Sequence, residues 1–367
     1  MAEAALLQSR PDRTRKHSAG AVSFSASGGQ LPMEVCERAA RDLTDWRRTG
    51  RGVLELPFTG LAFKDLLAEA IASLRALLHV PANYRVLFMQ GGASAQFSLV
   101  PMNLLRGKRA ACYADSGYWS RRAIAEAQRY CHVEALAPQR VPDGAAEAAY
   151  LHVVSNETAE GRQYRIFPDA GALPLIADMT SDFLTRPIDI SRFGLIYASA
   201  QKNVGAAGLT VVIVREDLLG SAYPATPSAF DYAVQARNDS LYNTPPVFAV
   251  HLAGLVLRWL LSQGGVEAMQ GATERKSAML YAVIDGCGGF YRCEVAPEER
   301  SQVTVCFKLA DEALTRRFLD EAQAQGMLHL AGHSRIGGIR ASLYNAVREE
   351  AATALADFMR DFARRRG

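Results

Sequence analysis

The chain has 367 residues, 49% of them hydrophobic, and sets 41 basic residues against 38 acidic ones for a net charge of +3. That length exceeds one ordinary core and predicts two domains. So small a net charge excludes a general nucleic-acid-binding surface, which needs a concentrated basic face. No run of about eighteen apolar residues escapes charge or punctuation, so no membrane-spanning helix is expected and a cytoplasmic location is. Residues 1–20 carry Arg10, Arg13, Arg15 and Lys16 without an apolar run and cleavage site. They read as a flexible basic extension, with a transit peptide as the alternative, and not as a secretory signal. The six cysteines show no CxxC pair and no zinc-ligand spacing, which fits reduced thiols and predicts no metal site.

In chain order, Leu31-Pro32 opens a helix to about residue 47, with proline near the first turn, and Gly50-Arg51-Gly52 ends it. A second, amphipathic helix spans 66–78. Residues 84–89 read as a buried strand, after which Gly91-Gly92-Ala93-Ser94-Ala95 turns into a helix at Gln96. Strand-like runs recur at 110–113, 149–154, 173–178, 194–197 and 209–214, with helical patterns between several of them, as at 120–130. That alternation predicts an α/β fold built on a large, mostly parallel sheet with helices on its faces. The apolar stretch 246–261, broken by His251 and Arg258, predicts a buried or interface helix. Beyond Gly264-Gly265, helices at 268–285, 313–325 and 349–364 alternate with half-exposed strands around 303–309. This predicts a smaller α+β domain at 268–367, joined by an N-terminal segment at 21–50 and its helix, with the large domain at 51–267.

Lys202 sits in a loop of small residues between two short buried strands. Alone it reads equally as a lysine snorkelling from a turn or as a Schiff-base lysine, whose amine must be desolvated to attack a carbonyl. Asp178 ends an apolar strand, where parallel sheets bind ligands, although a helix cap would use the same residue. The 91–95 stretch has the layout of an anion cradle at a helix N-terminus, or of a tight packing turn. Trp119, in Ser116-Gly117-Tyr118-Trp119, could be core or a stacking plate. Thr158, in Asn156-Glu157-Thr158, offers a hydroxyl at a strand end, and Asn243-Thr244-Pro245-Pro246 caps the long helix. Together a cradle, an aromatic plate, a hydroxyl, an acid and a lysine follow one another along successive strand ends. That order suits pyridoxal 5'-phosphate, with the acid holding the pyridine nitrogen protonated.

On the stretches GGASAQFSLVPMNLL (91–105), DSGYWS (115–120), SNETAEG (155–161), ADMTSDFLTRPIDISRFGLIYASAQKNVGAAGL (177–209), YNTPP (242–246) and GGIRASLYNA (337–346), the chain resembles the phosphoserine aminotransferase family. That family belongs to the class-V, fold-type I aminotransferases, and the resemblance runs from about residue 24 to the C-terminus. It implies that Lys202 carries pyridoxal phosphate as a Schiff base, that Asp178 pairs with the ring nitrogen, that Trp119 stacks on the ring and that Thr158 bonds near the ring hydroxyl. It implies that the amides of Ala93 and Ser94 and the side chain of Gln201 hold the phosphate, helped by Asn243 and Thr244 from the other subunit of a homodimer. Arg340 would clamp the substrate α-carboxylate as a bidentate partner. The activity implied moves an amino group between glutamate and a 2-oxo acid such as 3-phosphohydroxypyruvate.

Three departures from the family pattern stand beside these matches. Pro57-Phe58-Thr59 replaces the family's Ser-His-Arg run, whose His-Arg pair helps bind the substrate's distal anion. Gly332-His333-Ser334-Arg335 replaces Gly-His-Arg, with Arg335 offered as partial compensation, and Ala26-Ser27-Gly28 replaces Ser-Gly-Pro. With Phe58, Thr59, His333 and Arg335 facing the substrate, the alternative expectation is an aminotransferase of specialised metabolism with a less anionic carbonyl acceptor. Two rivals are β-elimination or desulfuration, which needs a reactive cysteine, and a non-catalytic descendant, which would not need Lys202, Asp178 and Arg340 together.

Overall fold

The computed structural model describes residues 21–140 and 147–367; the basic extension expected at 1–20 lies outside the described residues. A seven-stranded sheet organises the larger part. Its order is Tyr84–Met89, Thr210–Arg215, Leu195–Ser199, Leu175–Asp178, Ala148–Val154, Ala110–Ala114 and His132–Leu136. Thr210–Arg215 runs antiparallel to both its neighbours, and every other neighbouring pair is parallel. Central strands are buried on both faces, which is why Ala148–Val154 is apolar along its length but for the buried His152, rather than alternating.

Successive residues of the strand Tyr84–Met89 feed opposite cores. Val86 and Phe88 join the cluster that includes the helices Leu61–Leu78 and Val247–Ser262. Leu87 and Met89 join the one under Gly92–Leu104 and Tyr118–Ala127. His251 is buried in the helix Val247–Ser262, its Nε2 3.1 Å from Asp42. No single helix among the described residues is long and apolar enough to cross a membrane.

A separate core forms around Phe24, the helices Gly265–Gly286, Leu314–Ala324 and Glu349–Arg366, and an antiparallel sheet of Tyr291–Arg292, Thr304–Leu309 and Ile339–Ser342. The N-terminal segment divides between the two bodies. Val22–Ser23 pairs parallel with Met327–Leu328 on the smaller body. The helix that follows does not: Met33–Asp42 packs on the larger core through Val35 and Ala39. The physical reason is Asp42, a buried carboxylate whose partner across the contact is His251 of Val247–Ser262, on that side. This helix also stops at Asp42 rather than near residue 47, and by Asp45 (φ −149°, ψ 79°) the backbone has left helical geometry.

Candidate active site

The strand Leu195–Ser199 and its antiparallel return Thr210–Arg215 hold a short loop between them. Ala200 N–H donates to Leu209 O at 3.0 Å, and Gly205 N–H donates back to Ala200 O at 2.7 Å, which closes the turn around Lys202. Asn203 locks the far side by donating to Ser181 O at 3.2 Å and accepting from Asn345 N–H at 3.0 Å. On the near side the N-terminal strap presses in: Gly29 N–H donates to Gln201 O at 2.7 Å. A Cβ at Gly29 would lie 1.8 Å from the carbonyl oxygen of Lys202, so only glycine fits there.

The Lys202 side chain opens into a cavity of about 430 Å³ that Asp178, Trp119, Thr158, Ser94, Gln201 and Arg340 also line. Burial pushes its amine down to about 8, with the Arg340 cation adding to the effect and Asp178 opposing it. Among the described residues the amine has no hydrogen-bond or ion-pair partner; its nearest cationic contact is the Trp119 ring, with the centroid at 6.0 Å. Asp178 ends its strand at the sheet's carboxyl edge, as expected. It is buried, and its Oδ1 accepts the Thr180 N–H at 2.9 Å. Desolvation raises its pKa, and the Thr180 bonds and Lys202 partly restore the ionised form. Its cross-strand partner is Tyr197, whose hydroxyl lies 2.9 Å from His152 Nε2 in a fully buried pair.

Trp119 stands in the first turn of Tyr118–Ala127, and its Nε1–H donates to Thr158 Oγ1 at 2.9 Å. Arg340 rises from Ile339–Ser342 and donates from its guanidinium to Thr158 O at 3.0 Å. His333 lines the same cavity, with its ring 4.3 Å from that of Tyr118. The cradle begins earlier than the sequence suggests: the helix starts at Gly92, after Gly91 at φ +99°, rather than at Gln96. Two of its first N–H groups already have hydroxyl acceptors, Gly92 on Thr210 Oγ1 at 2.9 Å and Ala93 on Ser199 Oγ at 3.1 Å. An arriving phosphate would take the Ala93 N–H over from Ser199, whose hydroxyl can rotate, while Ser94 and Gln201 face the cavity directly.

Five expected site residues lie elsewhere in this chain. Phe58 and Thr59 line a separate cavity of about 720 Å³ with Lys64, Asp65 and Leu241. Asn243 Oδ1 accepts from Gln235 at 2.9 Å, and Thr244 O accepts from Gln90 at 2.6 Å. Arg335 is exposed and does not line the cavity; its amide donates to His333 Nδ1 at 3.3 Å. In the other direction, Thr180, Ser181 and Ser199 line the cavity without having been singled out, and Ala26, Ser27 and Asn156 join them without having been given a role there. Asn156 Oδ1 is buried there with no partner among the described residues, a free acceptor aimed at nothing the chain supplies. Thr180 had a readable signal in its position two residues past Asp178, where it is placed to bond that carboxylate.

The residues present fit pyridoxal phosphate: a desolvated, unpartnered amine, a buried acid below it, an aromatic plate beside it and an anion cradle at a helix start. Comparison with known proteins agrees. Residues 22–355 match the family model described as "Aminotransferase class-V". The chain is 51% identical to a phosphoserine aminotransferase of Laribacter hongkongensis, over 94% of this chain and 99% of that protein. A solved phosphoserine aminotransferase from Bacillus circulans subsp. alkalophilus superposes with a TM-score of 0.90 at 43% identity, covering 94% of this chain and 98% of that one. A solved pyridoxal phosphate-bound phosphoserine aminotransferase from Trichomonas vaginalis gives 0.87 at 37% identity, covering 92% and 99%. The chain belongs to the phosphoserine aminotransferase family of class-V, pyridoxal phosphate-dependent transaminases.

Proposed function

We propose that this enzyme moves an amino group between glutamate and 3-phosphohydroxypyruvate, with phosphoserine as the product. The observation that carries the reading is the Lys202 amine, desolvated and without a partner, in one cavity with Asp178 and Arg340. The substrate is supported by the family of the relatives. Pyridoxal phosphate, when bound, supplies an electrophilic carbon for amines and a ring that withdraws electrons from the substrate Cα. At a pKa of about 8, roughly a tenth of the Lys202 amine is unprotonated at pH 7, enough for it to act as nucleophile. With the cofactor bound, the Lys202 Nζ would carry the proton from the substrate Cα to the cofactor's carbonyl-derived carbon, work typically worth about 10²–10⁴-fold. Asp178 would hold a proton on the ring nitrogen, Trp119 would stack on the ring, and Thr158 would bond near its hydroxyl. Ala93, Ser94 and Gln201 bind the phosphate, and Arg340 binds the substrate α-carboxylate.

The site is completed in a homodimer, with Asn243 and Thr244 of a second copy reaching the phosphate. Exposed Leu54, Leu61 and Tyr242, together with the cavity at Phe58, Thr59 and Leu241, support an apolar face there. Mixing K202A with an N243A/T244A variant tests this. Exchange of subunits restores activity if the sites are shared, and leaves it at the sum of the parts if they are not. The proposed location is the cytoplasm.

A second reading has one specific observation behind it. Where the family carries a His-Arg pair toward the distal anion, this chain carries Phe58 and Thr59, and Ser334 stands where an arginine is usual. Each lost charge-assisted contact costs on the order of 1.5–3 kcal/mol. On this reading the acceptor is a less anionic carbonyl compound. Absorbance of the bound cofactor decides between the two: phosphoserine should convert it to the pyridoxamine form far faster than uncharged amino acids do. Equal rates would favour the second reading. A cysteine-driven desulfuration has no support, since burial pushes the Cys306 thiol up to about 12.

A further inference from the structure

Glu157, the middle residue of Asn156-Glu157-Thr158, has no part in the chemistry described so far, yet it is a buried carboxylate, only 1% exposed. A two-residue hairpin, Asn156–Glu157 against Arg162–Gln163, fixes its backbone. Its Oε2 accepts the Trp119 N–H at 2.8 Å. Its Oε1 accepts the Ser120 N–H at 2.8 Å and the Ser116 hydroxyl at 3.2 Å. Glu160 adds the Tyr118 N–H, at 2.8 Å to its Oε1. Three consecutive N–H groups of the first turn of Tyr118–Ala127 are thus gripped from outside the helix. Gly117 makes the room: a Cβ there would lie 2.7 Å from Glu160 Oε2 and 2.9 Å from the Glu157 carboxyl carbon.

The helix caps itself only in part. Ser120 Oγ accepts the N–H groups of Ser116 and Gly117 at 2.9 Å each, residues that precede the helix, so the first-turn N–H groups of Tyr118, Trp119 and Ser120 fall to the two carboxylates. Burying a carboxylate as well is costly, and the cost shows in a pKa pushed up to about 7. What the carboxylate adds is aim. Glu157 holds the backbone of Trp119 while Thr158, the next residue, holds its ring N–H. Two points on one side chain, backbone and ring edge, pinned by two consecutive residues, fix the plane of the indole.

We propose that Glu157 is a positioning residue that sets the plane of Trp119 against the cofactor ring. The inference rests on the reading that Trp119 stacks there. Glutamine cannot replace it: a carboxylate offers two acceptor oxygens to three donors, whereas an amide turns an N–H₂ toward one of them.

The test is a double-mutant cycle of E157Q and W119A in the holoenzyme. It reads the dissociation constant for pyridoxal phosphate and the visible circular dichroism of the bound cofactor. E157Q alone is expected to weaken binding about tenfold and to halve the dichroism or more. In the W119A background it should change the dissociation constant less than twofold, because the plate it aims is gone. Equal factors in both backgrounds would mean that Glu157 acts on the fold and not on the ring, which overturns the proposal. A W119A protein that binds and looks like the parent overturns the stacking reading, and the proposal with it. If E157Q does not fold, E157D keeps the charge and shortens the reach, and the same cycle gives a smaller effect that W119A again abolishes.

Discussion

Among the described residues two lysines stand out, Lys202, half-buried at the sheet's carboxyl edge, and Lys276, buried in the helix Gly265–Gly286, and desolvation pushes both amines down to about 8. Their surroundings differ. Lys276, 1% exposed, donates to three carbonyls, Leu343 O and Tyr344 O at 3.0 Å and Val347 O at 2.9 Å, one for each of its N–H bonds. Lys202 has no such acceptor and opens into a cavity. The first is a structural cation, stapling a helix to the loop that follows the Arg340 strand. The second keeps its lone pair available. A lowered pKa therefore does not by itself mark a nucleophile; the count of acceptors around the nitrogen does.

Exchanging the two roles by mutation is the sharpest way to break this comparison. Lys202→Ala should cut transamination by roughly a thousandfold or more, since nucleophile and proton carrier are lost together, while the melting temperature of the cofactor-free protein stays the same or rises. A large loss of stability in that variant would make Lys202 structural after all. Lys276→Met should do the reverse. It leaves three buried carbonyls without donors and costs about 3 kcal/mol in denaturant unfolding, with turnover per folded molecule within about twofold of the parent. A Lys276 variant that folds normally but loses activity would contradict the assignment.

Smaller effects sharpen the contrast. The rate at which cofactor-free protein captures pyridoxal phosphate, followed by absorbance, should rise about tenfold per pH unit and level off near pH 8, where Lys202 is half unprotonated. A plateau delayed to pH 10 or above would mean an unperturbed amine. The sign for stability follows from the same shift: the folded pKa is depressed, so between about 8 and the ordinary lysine value the unfolded chain binds more protons. Parent stability relative to K202A should rise with pH across that window. The smallest expected effect concerns Arg340, whose charge helps lower the Lys202 pKa. Arg340→Met should move the capture midpoint upward by a fraction of a pH unit, and a downward movement would remove Arg340 from the electrostatics of the amine.

Sequence patterns made one of these lysines visible and hid the other. Lys202 stands out because small residues and two apolar strands surround it in sequence, so its isolation is local. Lys276 lies in an ordinary amphipathic pattern, and its three acceptors come from 343–347, across a contact that no spacing rule encodes. The same division holds elsewhere. Asp178 and Trp119 were readable because each sits at a strand end or first helical turn. Glu157 was not, because its donors lie 37 and more residues away. The strand His132–Leu136 was missed because it is a sheet edge, mostly exposed, with no apolar run to announce it. The N-terminal helix was assigned to the wrong body because its packing through Val35 and Ala39 and its Asp42–His251 contact join positions far apart in sequence.

The strap at Gly29 sets a limit on when the enzyme can be loaded during its synthesis. Gly29 touches the Lys202 loop, but the strap is anchored further back by Val22–Ser23 against Met327–Leu328 and by the Ser342 N–H on Phe24 O at 3.0 Å. These partners leave the ribosome about three hundred residues after the strap itself. Until then the segment that closes one wall of the pocket is held from one side, by Gly29 on Gln201 O and by the helix Met33–Asp42 on the larger core, and Arg340 does not yet exist. A nascent chain that has finished its central sheet already contains Lys202, yet the cofactor cannot be properly enclosed until nearly the last turn of translation.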